Sequence, residues 1–141
     1  MTDPGSSSPA LTHRVLRWLL PTLTLGFIVV FLGIILIANR GEGDRWWAFL
    51  KSIPAGDKLG HVGLVGLLSL LTNLTFPGTH PRLPRWLTRT TFILLVLLTL
   101  EELAQAFLPH RTCDFGDWVA DLIGLGLGQT LALRFRRALK L

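Results

Sequence analysis

The sequence predicts an all-α fold, an integral membrane bundle of four transmembrane helices with both termini cytoplasmic, and three observations carry that expectation. The mean hydropathy is +0.50 with only 16% charged residues, an unusual balance for a soluble domain of this size. Four apolar runs are each long enough to cross a bilayer, two of them only if a few acids lie inside them. The Lys and Arg residues gather mostly between those runs and at the chain ends. A chain of 141 residues has room for one domain.

Residues 1–14 read as a disordered cytoplasmic tail, because MTDPGSSSPALT at their start has too little apolar side chain to order itself. Residues 15–141 form the four-helix domain. The first run, WLLPTLTLGFIVVFLGIILIA at 18–38, follows Arg14 and Arg17 and spans about 30 Å as a helix. Its apolar core is too long for a cleavable signal, and Leu36 is not the small residue that a cut after Ala38 requires. The second run, LGHVGLVGLLSLLTNLTF at 59–76, contains no acid, Lys or Arg. The third is too short between Thr90 and Leu100, and reaches about 33 Å only if the helix runs from Leu87 through Glu101, Glu102 and Gln105 to Leu108. The fourth, FGDWVADLIGLGLGQTLALRF at 115–135, likewise needs Asp117 and Asp121 inside it.

Orientation follows from the basic residues, which resist translocation. Arg14, Arg17, Arg82, Arg85, Arg89, Arg134, Arg136, Arg137 and Lys140 fall on one side, against Arg40, Arg45, Lys51, Lys58 and Arg111 on the other. Both termini are therefore cytoplasmic and the first and third loops external. Trp18, Trp86 and Trp118 stand at span ends, as headgroup anchors do. In the first loop Trp46, Trp47, Phe49, Leu50 and Ile53 form either a short interfacial helix or a plain loop with a Trp anchor. The C-terminal RFRRALK reads as an anchor on anionic lipid. Positive charge alone suggests nucleic acid, but no basic stripe interleaves with stacking aromatics, so none is expected. Cys113 is the sole cysteine, which excludes an intrachain disulfide and a thiolate zinc cage.

With the spans placed, the acids converge. Asp57 and Lys58 stand at the outer mouth of the second span with His61 one turn inside, Asp57 and His61 sharing a face by their spacing of four. Glu101, Glu102 and Gln105 fall in the outer third of the third span. Asp114, Asp117, Asp121, Gly124 and Gly128 follow spacings of three, four, three and four, one stripe on one helix face. Glu102 and Asp121 are each six or seven residues from the turn, hence at similar depth. An acid in mid-span costs about 2.5 to 3.5 kcal/mol, so such groups face a partner, a cavity or a ligand. Asp114 and Asp117 gain from the helix N-terminus, Arg111 is placed to fork onto a carboxylate, and Gly124 and Gly128 form a helix-packing notch.

This pattern resembles the VanZ-like membrane family. The matching residues are Asp57, Lys58 and His61 as D-K-x-x-H, Glu102 and Gln105 as E-x-x-Q, then Arg111, Asp114, Asp117, Gly124 and Gly128, over roughly residues 20 to 135. The resemblance implies a small helical protein of the bacterial cytoplasmic membrane, linked to the cell envelope and in some members to glycopeptide (teicoplanin) susceptibility. The chain departs from the family at Asp121, where Asn is usual, at Pro109 and His110, where Pro-Gly is usual, and at Val65, where an aromatic is common.

Three readings of the cluster follow. In the first it is an outward-facing pocket for a lipid-linked or cell-wall precursor, with Glu102, Asp117 and His61 as acid or base and Asp57, Lys58, Gln105, Arg111, Asp114 and Asp121 as binding groups; Lys58 and Arg111 hold phosphate or carboxylate. In the second the same groups are structural glue between helices, or a surface for a protein partner. In the third they hold a cation or proton, as in a transporter. No tight ligand motif such as H-x-x-x-H occurs and His61 has Asp57 as an ordinary partner, so no metal ligands are assigned. Cofactor and oligomeric state are left open.

Overall fold

A computed structural model describes residues 9–76, 78, 83–84, 86–109, 111 and 113–139, with side chains described from Arg17 onward except at 44 and 51. Five helices follow one another and no strand occurs among the described residues: α1 (Pro9–Asn39), α2 (Gly43–Lys51), α3 (Gly56–Thr75), α4 (Arg89–Gln105) and α5 (Phe115–Leu139). The chain is thus all-helical. Among the described residues one segment qualifies as a membrane span by length and composition, Arg17–Asn39 within α1. Helix α1 begins at Pro9, so residues 9–14 of the expected tail are helical, whereas residues 1–8 lie outside the described residues. So do Arg82, Arg85, His110 and Lys140.

The third run is shorter than expected. Helix α4 covers 17 residues and not the 22 from Leu87 to Leu108. Its start is fixed by Thr88, which adopts an extended backbone and accepts a hydrogen bond from the Thr91 N–H through its side chain, an N-cap. Its end dissolves into turns through Leu108. The first loop contains a short helical segment, α2, kinked at Trp47 (φ −133°, ψ 32°) and tied to α3 by a tight turn in which Ala55 takes a left-handed conformation with φ 54°. A Cβ at Gly56 would strike the backbone oxygen of Leu50, which leaves only glycine for that position.

Helices α3 and α5 form the principal pair of the bundle. They approach closely because small residues face one another: a Cβ at Gly124 would lie 2.8 Å from the Val62 carbonyl oxygen and 3.0 Å from the Gly66 nitrogen, and one at Gly128 would meet the Gly66 carbonyl. Ser69 closes the contact by donating its hydroxyl to the Leu125 carbonyl at 2.9 Å. Helix α1 joins the far side of α3 through Thr24, whose hydroxyl lies 2.7 Å from that of Thr75. The apolar core is small, Val65, Leu98 and Leu125 with Phe31, Leu94 and Leu95 packed on it.

Candidate functional site

The site grows from the first turns of α3 and α5. Asp114 precedes α5 and caps it: its Oδ1 accepts the Gly116 N–H at 2.7 Å, and its carbonyl accepts the N–H groups of Asp117 and Trp118. That leaves Asp114 Oδ2 free to face α3, where it accepts from Lys58 Nζ at 2.9 Å. The same ammonium donates to Asp117 Oδ1 at 2.6 Å and to Asp57 Oδ2 at 3.0 Å. Lys58 thus spends its three protons on three carboxylates. Its stem crosses the first turn of α5 so closely that a Cβ at Gly116 would lie 2.8 Å from Lys58 Cε.

One turn deeper, His61 Nδ1 lies 2.9 Å from Asp121 Oδ1, and its Nε2 lies 3.7 Å from Asp117 Oδ2. Helix α4 supplies the third wall. Glu102 is buried, 3% exposed, and its Oε1 accepts the Asp114 N–H at 2.7 Å while its Oε2 has no hydrogen-bond partner among the described residues. Gln105, also buried, accepts from Arg111 Nε at 3.1 Å and donates to Glu101 Oε2 at 2.8 Å.

All nine candidate site residues therefore come together where α3, α4 and α5 meet, and Glu102 rather than Glu101 is the one turned inward. Three pairings differ from expectation. His61 does not pair with Asp57; it reaches across to Asp121 and Asp117, because the α3 face that carries it packs on α5. Arg111 bonds to the Gln105 amide and to no carboxylate among the described residues. Lys58 is saturated by the aspartates and offers no free N–H to a phosphate.

Asp57, Lys58 and Asp114 stand outside the apolar runs, and their charges hold one another. Hydrogen bonding to Lys58 keeps the Asp57 carboxyl below the usual carboxylate range. The same bond, helped by the Gly116 N–H, does so for Asp114. The hydrogen bonds it donates, first to Asp117, then to Asp114 and Asp57, keep the Lys58 ammonium charged well above the usual lysine range. The oxygens of Asp57, Asp114 and Asp117 lie within 4.8 Å of one another, the spacing of a cation cage, and here the cation is the ammonium of Lys58.

A second polar cluster, at the opposite end of the bundle, escaped the sequence reading. Asn73, Thr88, Thr91 and Gln129 are buried together. Thr88 donates to Asn73 Oδ1 at 2.6 Å, Asn73 Nδ2 donates to Thr91 at 2.9 Å, and Gln129 accepts the Thr88 N–H at 3.0 Å while donating to the Trp86 carbonyl at 2.8 Å. The available signal was one amide in each of two apolar runs, Asn73 and Gln129. Trp118, expected as a headgroup anchor, instead donates its indole N–H to Thr99 of α4 at 3.0 Å.

Compared with known protein families, curated proteins and solved structures, the chain matches none.

Proposed function

We propose that this chain is a VanZ-like protein of the bacterial cytoplasmic membrane, in which α1, α3, α4 and α5 all cross the bilayer and the Lys58 and Glu102 cluster opens to the external face. Support comes from the inverted distribution of polarity. Among the described residues ten buried side chains are polar or charged against seven apolar, while large apolar residues such as Val29, Leu97 and Leu127 stand exposed on three different helices. A water-soluble fold has the reverse, and so much exposed apolar surface calls for lipid around it. Helix α4, at about 26 Å, is short for a span, and local thinning of the bilayer or the turns at its ends accommodate it.

Within that frame the cluster binds or acts on a polar envelope molecule, a lipid-linked or cell-wall precursor. The single observation that carries this reading is Glu102, a buried carboxyl with one oxygen that has no hydrogen-bond partner among the described residues, beside the three-helix junction. An unused acceptor in such a place suits a hydroxyl or amine of a ligand. Glu102, Asp117 and His61 are the acid and base candidates, and Asp57, Lys58, Gln105, Arg111, Asp114 and Asp121 hold them in place. Because Lys58 is already engaged by three carboxylates, an anionic group of the ligand falls to Arg111, which commits only its Nε, to Gln105, among the described residues. The test is teicoplanin susceptibility of cells expressing the protein: Glu102→Gln and Asp117→Asn, at matched protein level, are expected to abolish its effect, and an effect intact in both variants removes the reading.

A second reading, a cation or proton carrier, draws on the excess of acids at the junction, where the described residues include six carboxyls against one ammonium, one guanidinium and one imidazole. Metal analysis of the purified protein, with and without Lys58→Met, separates the two.

A further inference from the structure

We infer that α2 and the turn that follows it form a surface strap that beds Trp46, Phe49 and Ile53 in the headgroup boundary of the external phospholipid leaflet, next to the Lys58 cluster. This rests on the four-span reading above. The chain itself fixes where α2 lies: three residues join it to the end of α1 and four to the start of α3, so the strap stays at the one face where those two helices meet it. Its two sides are unlike. Leu50 turns inward, its Cδ1 3.6 Å from where a Cβ of Gly60 on α3 would stand, and the ring of Trp47 folds back over Gly43. Trp46, Phe49 and Ile53 turn outward and are 62%, 64% and 46% exposed.

That outward face has one fitting occupant. Leu36 near the end of α1 and Leu59 near the start of α3, on the two helix ends that the strap joins, are likewise exposed, so all three elements present apolar surface at this end of the bundle. Arg40 and Arg45 are exposed beside it, where guanidinium groups meet lipid phosphate. Tryptophan in the headgroup layer, an apolar ring at the acyl boundary and flanking arginines are the composition of an interfacial helix. A strap held there carries the Ala55 and Gly56 turn with it, and through that turn sets the height of Lys58 relative to the lipid surface.

The experiment uses the full chain with Cys113→Ser, reconstituted in vesicles of phosphatidylethanolamine and phosphatidylglycerol, with a nitroxide on Phe49→Cys, Ile53→Cys or, as a reference, Leu127→Cys on the exposed face of α5. Collision with oxygen reports lipid and collision with a water-soluble nickel chelate reports water. The expected result is an oxygen-to-chelate ratio at 49 and 53 several-fold above that of an aqueous label, but below the ratio at 127. Labels at 49 and 53 open to the chelate, with 127 still in lipid, overturn the strap and leave the bundle standing. Chelate access at all three positions overturns both. Labels at 49 and 53 shielded from both reagents, with spin–spin broadening between copies, assign the face to self-association and overturn the strap.

Discussion

Lys58 Nζ lies 2.6 Å from Asp117 Oδ1, and this contact joins the head of α3 to the first turn of α5. The same nitrogen also serves Asp57 and Asp114, so one ammonium is shared by three acids, one on α3, one on α5 and one just before α5. Lys58→Met keeps most of the stem and removes the charge, leaving three carboxylates facing one another. The expected melting temperature in detergent falls by about 3 to 6 °C, the shift that roughly 1 kcal/mol produces in a chain of this length. An unchanged melting temperature would mean that the cage does not hold the helices together.

The pH dependence of stability has a definite sign. Asp57 and Asp114 have folded-state values depressed by Lys58, so their contribution is complete above the ordinary carboxylate value of about 3.9 and is lost as the pH falls through the lower folded values. Lys58 is shifted the other way: its contribution is complete below about 10.4 and is lost as the pH rises above it. Melting curves from pH 3 to 11 should therefore show a plateau as far as these three groups are concerned, with an acid limb and an alkaline limb. Lys58→Met should flatten both. A wild-type acid limb that persists unchanged in Lys58→Met sinks this assignment.

The glycine stripe of α5 makes a prediction with its own control. At Gly128 an added methyl group would meet the Gly66 carbonyl, lie 2.7 Å from Ser69 Cβ and stand 2.8 Å from the Leu70 nitrogen, and backbone cannot move aside as a side-chain tip can. Gly128→Ala should therefore force α3 and α5 apart and cost about 1 to 3 kcal/mol. Gly126, two residues away on the same helix, has nothing within 4 Å of its would-be Cβ, and Gly126→Ala should be neutral or slightly stabilising through helix propensity. Equal losses from the two substitutions in a thermal melt would contradict the close α3 and α5 crossing.

The spacing of Asp114, Asp117, Asp121, Gly124 and Gly128 was enough to place them on one face of α5, because helical periodicity is a local property written in consecutive residues. The meeting of α3, α4 and α5 near that face followed from the cost of acids in apolar runs. Partner choice did not follow. Asp57 and His61 are four residues apart on one helix, yet each is engaged elsewhere, since the long stem of Lys58 and the packing of α3 on α5 bring non-local groups nearer than the local one. Charge alone pairs Arg111 with a carboxylate, whereas the turn sets its Nε beside Gln105. The start of α4 was equally invisible, because Thr88 caps that helix while bonded to Asn73 and Gln129, which are distant in the chain.

That distant network supports a further prediction. Gln129 bridges α5 to the segment before α4 by three bonds, to the Thr88 N–H, the Thr88 hydroxyl and the Trp86 carbonyl. Gln129→Leu fills the space but strands a buried backbone N–H and a backbone carbonyl. The expected loss is about 1 to 3 kcal/mol, the range for orphaned buried polar groups, and backbone amide exchange should speed up at Thr88 and Thr91 before it does at Lys58. Exchange that accelerates evenly along the chain would show that the two ends of the bundle do not open separately.

Cys113 provides the most direct check on sidedness, since it is the only thiol, is exposed, and adjoins Asp114 in the link between α4 and α5. The desolvation imposed by its neighbours, and then the negative charge of Glu102 and Asp114, keep its thiol above the ordinary cysteine value. Since the thiolate is the reactive form, a membrane-impermeant maleimide applied to cells with a permeabilised outer envelope should label it slowly at neutral pH and faster as the pH rises towards 9. Glu102→Gln removes part of the opposing charge and should raise the neutral-pH rate severalfold. Labelling that requires lysis would put the link in the cytoplasm and reverse the orientation proposed for the Lys58 and Glu102 cluster, whereas a rate indifferent to Glu102→Gln would show that the buried carboxyl does not act on the thiol through its charge.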